Sequence, residues 1–246
     1  MIKQQYSSEQ LLTRWEDRRA CQNIAGKFSH SYVIHEEELI YDRFWSKRDD
    51  VCLGFNEGWY NGAEAVKGYY DALGEKKKLA SKLIRDRFPE ELAQYSEEEC
   101  AGVGILGYKP VDTCVLEVAG NGETAKGLWI CRGASMDLTS CGFVLNTEWS
   151  YLAIDFIKEA DGWKIWHMKN VFDVLTPMGY GWAGEPTDFT EAPEFAPLKD
   201  FKMPEPNVPM KLREYYHPMR EFSPSPMPPE PYYDFSETFT YGIEEV

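Results

Sequence analysis

Helical spacing runs through residues 8 to 28, SEQLLTRWEDRRACQNIAGKF, where the apolar Leu11, Leu12, Trp15 and Ile24, together with Arg19 and Gln22, fall about one turn apart. A serine with glutamate close behind supplies the start signal. A second helix is predicted over 35 to 46, HEEELIYDRFWS. Acids crowd its first turn, where the helix dipole favours them, and Leu39, Tyr41, Phe44 and Trp45 supply the apolar side. DVCLGF then reads as a strand, NEGW as a turn, and NGAEAVKGYYDALG as a third helix opened by Asn61 and Gly62. The charged stretch 74 to 100 reads as helical and mostly exposed, its charges on solvated faces, with an interruption at Pro89.

From Val111 the period changes to alternation. DTCVLEVAG, a turn at Asn121 and Gly122, and ETAKGLWICRGA predict one hairpin; FVLNTEWSYLAIDFIKEA, a turn at Asp161 and Gly162, and GWKIWHMKN predict a second. Helices followed by long paired strands give an α+β domain with a curved antiparallel sheet, over about residues 1 to 175. Beyond Val174 the composition shifts: all of the 15 prolines except Pro89 and Pro110 lie from Pro177 onward. Disordered chains are poor in aromatics. This segment instead carries Tyr180, Trp182, Phe189, Phe195, Phe201, Tyr215, Tyr216, Phe222, Tyr232, Tyr233, Phe235, Phe239 and Tyr241. Residues 176 to 246 are therefore expected to be an extended arm laid on its own domain or on a neighbouring subunit.

Composition narrows the partners. A net charge of −15 argues against nucleic acid, because phosphate binding needs a basic surface. No apolar run has the length of a spanning helix and the first residues lack the apolar core of a signal peptide, so a cytoplasmic protein with no membrane partner is expected. The six cysteines are scattered and read as small buried apolar residues rather than staples or metal ligands. Metal-ligand spacing, GxSxG, a Walker loop and GxGxxG are all missing, so neither a metal nor a redox cofactor is expected.

Three pieces of the chain carry a resemblance: RWEDRRACQNIAGKFSHSY with EEL, FW and NEGWYNGAEAVKGYY; VLEVAGNGETAKGLW; and AIDFIKEADGWKIWHM. Together they make residues 10 to 175 similar to the SnoaL-like group of the nuclear transport factor 2-like superfamily. The Pro-rich finish with PPEPY is similar to a subset with long C-terminal arms. The resemblance implies a cone-shaped pocket between sheet and helices. It also implies proton removal and return on an apolar, often ring-bearing substrate, as in scytalone and bile-acid dehydratases, ketosteroid isomerase, polyketide cyclases and lyases of lignin-derived diaryl compounds. Members that only bind or assemble share the fold, which by itself does not decide function.

Such chemistry needs a base and a donor that holds developing charge. His30 and Tyr32 in KFSHSYVIH stand where the group's dehydratases place pocket residues, and are the first candidates. Lys109 in GYKPVD replaces the His that many relatives carry before this proline. The role of that His is therefore vacant or passes to Lys109, which could act as a base only if burial lowered its pKa. Asp155 interrupts an apolar strand, and His167 lies on the last strand. Parity there groups Trp163, Ile165, His167 and Lys169 on one face, with Lys164, Trp166, Met168 and Asn170 on the other. It likewise sets Tyr151 and Asp155 on one face together. Trp59, Trp129, Tyr151, Trp166, Met168 and Asn170 are expected to contact substrate. These readings predict a cofactor-independent lyase, dehydratase or isomerase for a hydrophobic, aromatic or polycyclic small molecule, assembled as a homo-oligomer, dimer or trimer. The alternative is a binding or assembly protein that uses the same cone without catalysis.

Overall fold

The computed structural model describes residues 6–97, 99–100, 102–140, 142–178, 196–220 and 226–244. Cys141, Pro224 and the arm aromatics Tyr180, Trp182, Phe189, Phe195 and Phe222 lie outside the described residues. The helical layer is α1 (Ser8–Val33), a 3-10 turn at Glu37–Leu39, α2 (Ile40–Phe44), α3 (Ala63–Arg87) and α4 (Pro89–Leu92). The strands are β1 (Cys52–Phe55), β2 (Gly58–Asn61), β3 (Leu106–Tyr108), β4 (Asp112–Val118), β5 (Thr124–Thr139), β6 (Gly142–Glu159) and β7 (Gly162–Pro177). The arm adds α5 (Pro197–Asp200), β8 (Val208–Pro209) and a 3-10 turn at Phe235–Glu237. Among the described residues no helix is long and apolar enough to cross a membrane.

All strands form a single sheet in the order β3-β5-β6-β7-β1-β2-β8, with β4 also pairing β5. The sheet is mixed rather than wholly antiparallel, because β1 runs parallel to β7. NEGW, expected as a turn, opens β2 of a tight hairpin: Gly58 pairs Phe55 and Trp59 pairs Gly54. The hairpin turns at Gly122 (φ 75°) and Gly162 (φ 123°) are as expected, since glycine enters left-handed space without a Cβ penalty. β5, β6 and β7 are 16, 18 and 16 residues long, and two bulges bend the β6–β7 ladder.

One bulge changes the faces. Asp155 pairs His167 while the adjacent Phe156 pairs Ile165, which leaves Trp166 unpaired. Strict alternation therefore fails across Trp166. Trp163, Ile165 and Met168 point into the apolar core with Leu152, Ile154, Phe156, Trp129 and Leu116. Asn170 pairs Leu152 and shares that inner face, whereas His167 joins Asp155 on the outer face.

α1 lies across the inner face, but not by the stripe that its spacing suggests. Leu11, Leu12 and Trp15 are exposed, and the buried positions are Asp17, Cys21, Ala25, Phe28 and Ser31. The N-terminal half is held by polar ties instead. Arg14 donates to the Val118 and Ala119 carbonyls (both 2.7 Å), Arg18 to Leu116 O (2.6 Å), and Asp17 accepts from Lys158 and Trp163 (2.7 and 2.8 Å). α3 runs unbroken through Gly74, joining two segments that read as separate helices. A Cβ at Gly74 would stand 2.9 Å from the Glu38 Cβ, so glycine there admits the preceding 3-10 turn.

The described arm crosses the outer face of its own sheet. β8 pairs β2, Leu212 N–H donates to Asn56 O (2.7 Å), and Gly120 N–H donates to Tyr232 O (2.9 Å). Pro209 in β8 sits on a sheet edge, where its missing N–H leaves no central ladder incomplete.

Candidate active site

The last turns of α1 present opposite faces two residues apart. Phe28 and Tyr32 turn inward, their rings edge to face at 5.4 Å. His30 turns outward, onto an exposed cleft of ≈ 210 Å³ shared with Ser29, Val33 and the 108–111 connection. His30 and Tyr32, paired by the sequence argument, therefore do not meet in one pocket.

Lys109 belongs to both places. Its carbonyl in the cleft wall accepts from Ser29 Oγ (2.5 Å). Its Nζ lies 4.9 Å from the Tyr32 ring centre, 5.4 Å from that of Phe172, and 3.5 Å from Glu148 Oε2. Glu148, an acid in an alternating strand, is buried. It shares phase with Ser150 and Leu152 on β6, which is the signal that would have found it. Glu37 also enters this interior: it is buried, and its Oε2 has no hydrogen-bond partner. Burial pushes the Tyr32 hydroxyl pKa well above the ordinary tyrosine range, and Tyr70, Tyr69, Glu37 and Glu148 add to the rise. Tyr32 is thus a neutral hydroxyl at any physiological pH. Burial likewise raises the Cys131 thiol to about 12, leaving no thiolate for nucleophilic attack. Tyr69, one of the groups that act on Tyr32, packs on Phe55 and Tyr60, each ring centre 5.0 Å from its own. Among the described residues no group of three or more His, Cys, Asp or Glu could hold a metal.

Asp155 and His167 form a second cluster on the other side of the sheet. Asp155 Oδ1 is bonded to Lys126, and Asp155 Oδ2 lies 3.0 Å from His167 Nδ1. The same Oδ2 accepts from Thr240 Oγ1 (2.9 Å) and Tyr241 N–H (2.8 Å) of the arm. Lys126 is fully buried, with the rings of Phe235, Phe239 and Tyr241 at 4.7, 4.7 and 4.6 Å from its ammonium. Burial acts to raise the Asp155 pKa, but the His167 hydrogen bond and Lys126 charge outweigh it and hold the carboxyl below its usual range. Burial lowers the Lys126 pKa against the pull of Asp155. This cluster anchors the arm.

The expected contact residues divide in the same way. Trp129, Met168 and Asn170 face inward. Tyr151 lies outside beneath Arg213 (5.2 Å), and Trp59 is buried under Leu212 with Lys169 5.2 Å from its ring. Trp166, displaced by the bulge, stacks on His167 (4.2 Å) and meets Phe235 of the arm (4.9 Å).

No family model and no curated protein matches the chain by sequence. Solved structures do resemble it. One is a provisionally assigned scytalone dehydratase from Novosphingobium aromaticivorans, 9% identical, with TM-score 0.48, covering 72% of this chain and 98% of that one. A second is the hexachlorocyclohexane dehydrochlorinase LinA-type3 from Novosphingobium barchaimii, 13% identical, TM-score 0.46, covering 71% and 99%. A third is an NTF2-like protein with a cystatin-like fold from Novosphingobium aromaticivorans, 13% identical, TM-score 0.41, covering 69% and 92%. At these identities the likeness says nothing of what this chain acts on. By its own helices and its own mixed sheet, bent by two bulges, the chain is an α+β fold with its helices laid on one face of the sheet.

Proposed function

We propose that the chain is a cofactor-independent lyase that eliminates water or a comparable small fragment from a hydrophobic, ring-bearing compound inside the cone. The observation that carries this reading is the Lys109–Glu148 pair, 3.5 Å apart, beside the neutral Tyr32 hydroxyl and among aromatic rings. An ion pair enclosed by apolar walls is a poor way to gain stability, since desolvation offsets much of its attraction. It is well suited to proton transfer. Glu148 would take the proton next to a carbonyl, while Lys109 and Tyr32 hold the charge that develops on the carbonyl oxygen. A protein that only binds such a molecule needs the rings but not the pair.

The test is a panel of ring-bearing β-hydroxy ketones and β-hydroxymethyl aromatics, followed for release of water or formaldehyde. The wild-type protein should turn over at least one member, and Glu148→Gln should lose that turnover while still binding it. Tight binding by the wild type with no turnover of any member would favour the binding-protein reading instead.

A further inference from the structure

The edge of the sheet at β4 carries two exposed surfaces that the lyase chemistry does not use. The first is on α1. Leu11, Leu12 and Trp15 are 54, 60 and 67% exposed, although their spacing is that of a packed stripe. This half of the helix docks through Arg14 and Arg18, which donate to the Leu116, Val118 and Ala119 carbonyls along β4. Its polar side therefore meets the sheet and its apolar side is left in water.

The second surface is on the arm. From Pro226 to Tyr233 burial repeats every third residue: Pro226, Pro229 and Tyr232 are buried, while Met227, Pro228, Glu230, Pro231 and Tyr233 are exposed. Three residues per turn is the repeat of a polyproline II helix. One edge of that helix lies on the sheet and two stay open. Gly120 and Asn121 N–H donate to the Tyr232 and Tyr233 carbonyls (both 2.9 Å), and the Tyr241 hydroxyl donates to Met227 O (2.6 Å). The ridge is thus ordered before anything docks on it, which lowers the entropic cost of docking. Open edges of such a helix are what an aromatic, apolar surface grips.

Both surfaces flank one turn. α1 lies on the inner face and the arm on the outer, yet Arg14 bonds to Val118 and Ala119 and the arm bonds to Gly120 and Asn121. Burial raises the pKa of the Glu117 carboxyl in β4, Arg18 and Arg14 lower it, and Glu230 of the arm raises it, so both surfaces reach the same strand. Their charges are opposite. Arg19 is exposed one turn beyond Trp15, and Glu230 is exposed between Pro228 and Pro231. A chain of net charge −15 repels its own copies, so contact between copies needs such a match where they approach. Three apolar side chains fall well short of the roughly 800 Å² per partner of a stable interface, so the stripe needs the ridge beside it. A two-fold axis parallel to β4 and just beyond this edge engages both surfaces on each copy. We propose that a second copy of this chain covers the edge. Leu11, Leu12 and Trp15 of each copy pack on the Pro228 and Pro231 ridge of the other, with Arg19 facing Glu230. This contact does not depend on the lyase reading.

Trp15→Ser and Glu230→Arg replace exposed side chains, so both should keep the wild-type circular dichroism spectrum. In sedimentation equilibrium the full chain should form dimers, and each single variant should weaken them by about 10-fold or more. Arg19→Glu joined to Glu230→Arg should recover most of the affinity that Glu230→Arg loses, because the pair is reversed rather than removed. A wild type that stays monomeric, a dimer unchanged by both single variants, or a reversed pair that recovers nothing overturns the proposal. So does a monomeric wild type that binds phosphatidylcholine–phosphatidylglycerol vesicles through Trp15, which would give the stripe to a lipid surface.

Discussion

One oxygen separates Tyr32 from phenylalanine, and its removal leaves the edge-to-face packing on Phe28 intact. Tyr32→Phe should therefore unfold near the wild-type temperature while losing roughly 10- to 100-fold in kcat, the effect of one lost hydrogen-bond donor to developing charge. An unchanged kcat would remove Tyr32 from the site. Glu37 makes a separate stability prediction. Its carboxyl pKa is raised on folding, so its contribution is fully present below the unfolded value and is lost as pH rises through the folded one. Glu37→Gln should then match the wild type in melting temperature near pH 4 and exceed it at pH 8. Equal melting temperatures at both would mean that the carboxyl is not held neutral. Tyr32 and Lys109 were legible in the sequence because the motif around each was informative. Glu37 was not, since HEEEL reads as a solvated first turn and its burial depends on His35 entering left-handed space. Glu148 was missed because an acid in an alternating strand ordinarily faces water.

At the scale of elements, the helix–sheet order, the NG and DG turns and the last four long strands could be read from periodicity. The face assignment of β7 could not. A bulge inserts one residue without any local sequence mark, and the extra Trp166 reverses the phase from His167 to Phe172, until a second bulge at Asp173 restores it. The N-terminal half of α1 misled for a related reason: Arg14 and Arg18 dock it through carbonyls, so its leucines need not be buried. Gly74 gives the element-scale test. Alanine is the better helix former by about 1 kcal/mol, yet its Cβ would stand 2.9 Å from that of Glu38. Gly74→Ala should lower stability by about 1–3 kcal/mol in denaturant unfolding, the usual cost of overpacking. A stabilised variant would show that α3 and the 3-10 turn are not in tight contact.

For the molecule as a whole, the arm is what closes the outer side of the sheet. Truncation after Pro177 would uncover Leu128, Ala153 and Tyr151, and would strip Asp155 of its bonds to Thr240 and Tyr241. The truncated chain should melt at lower temperature and bind a hydrophobic dye; an unchanged melting temperature and no dye binding would mean that the arm contributes no cover. The Asp155 anchor carries its own pH window. Its pKa is lowered on folding, so the stability it contributes is present above the unfolded value and is lost only as pH falls through the lower folded one. Proteolysis of the arm should stay slow down to about pH 4, near the unfolded aspartate pKa, and accelerate only below it. The proline and aromatic pattern made an ordered, extended arm legible, but not that it would meet Asp155 and His167. The two clusters lie on opposite faces of one sheet, and the proposed chemistry belongs to the inner one. The most direct test is turnover of the same ring-bearing substrate by Lys109→Met and by His167→Asn, each below its own melting temperature. Lys109→Met should lose about 100-fold or more in kcat, whereas His167→Asn should keep wild-type kcat and lose only stability. Full activity in Lys109→Met with loss in His167→Asn would place the chemistry on the outer face and contradict the account.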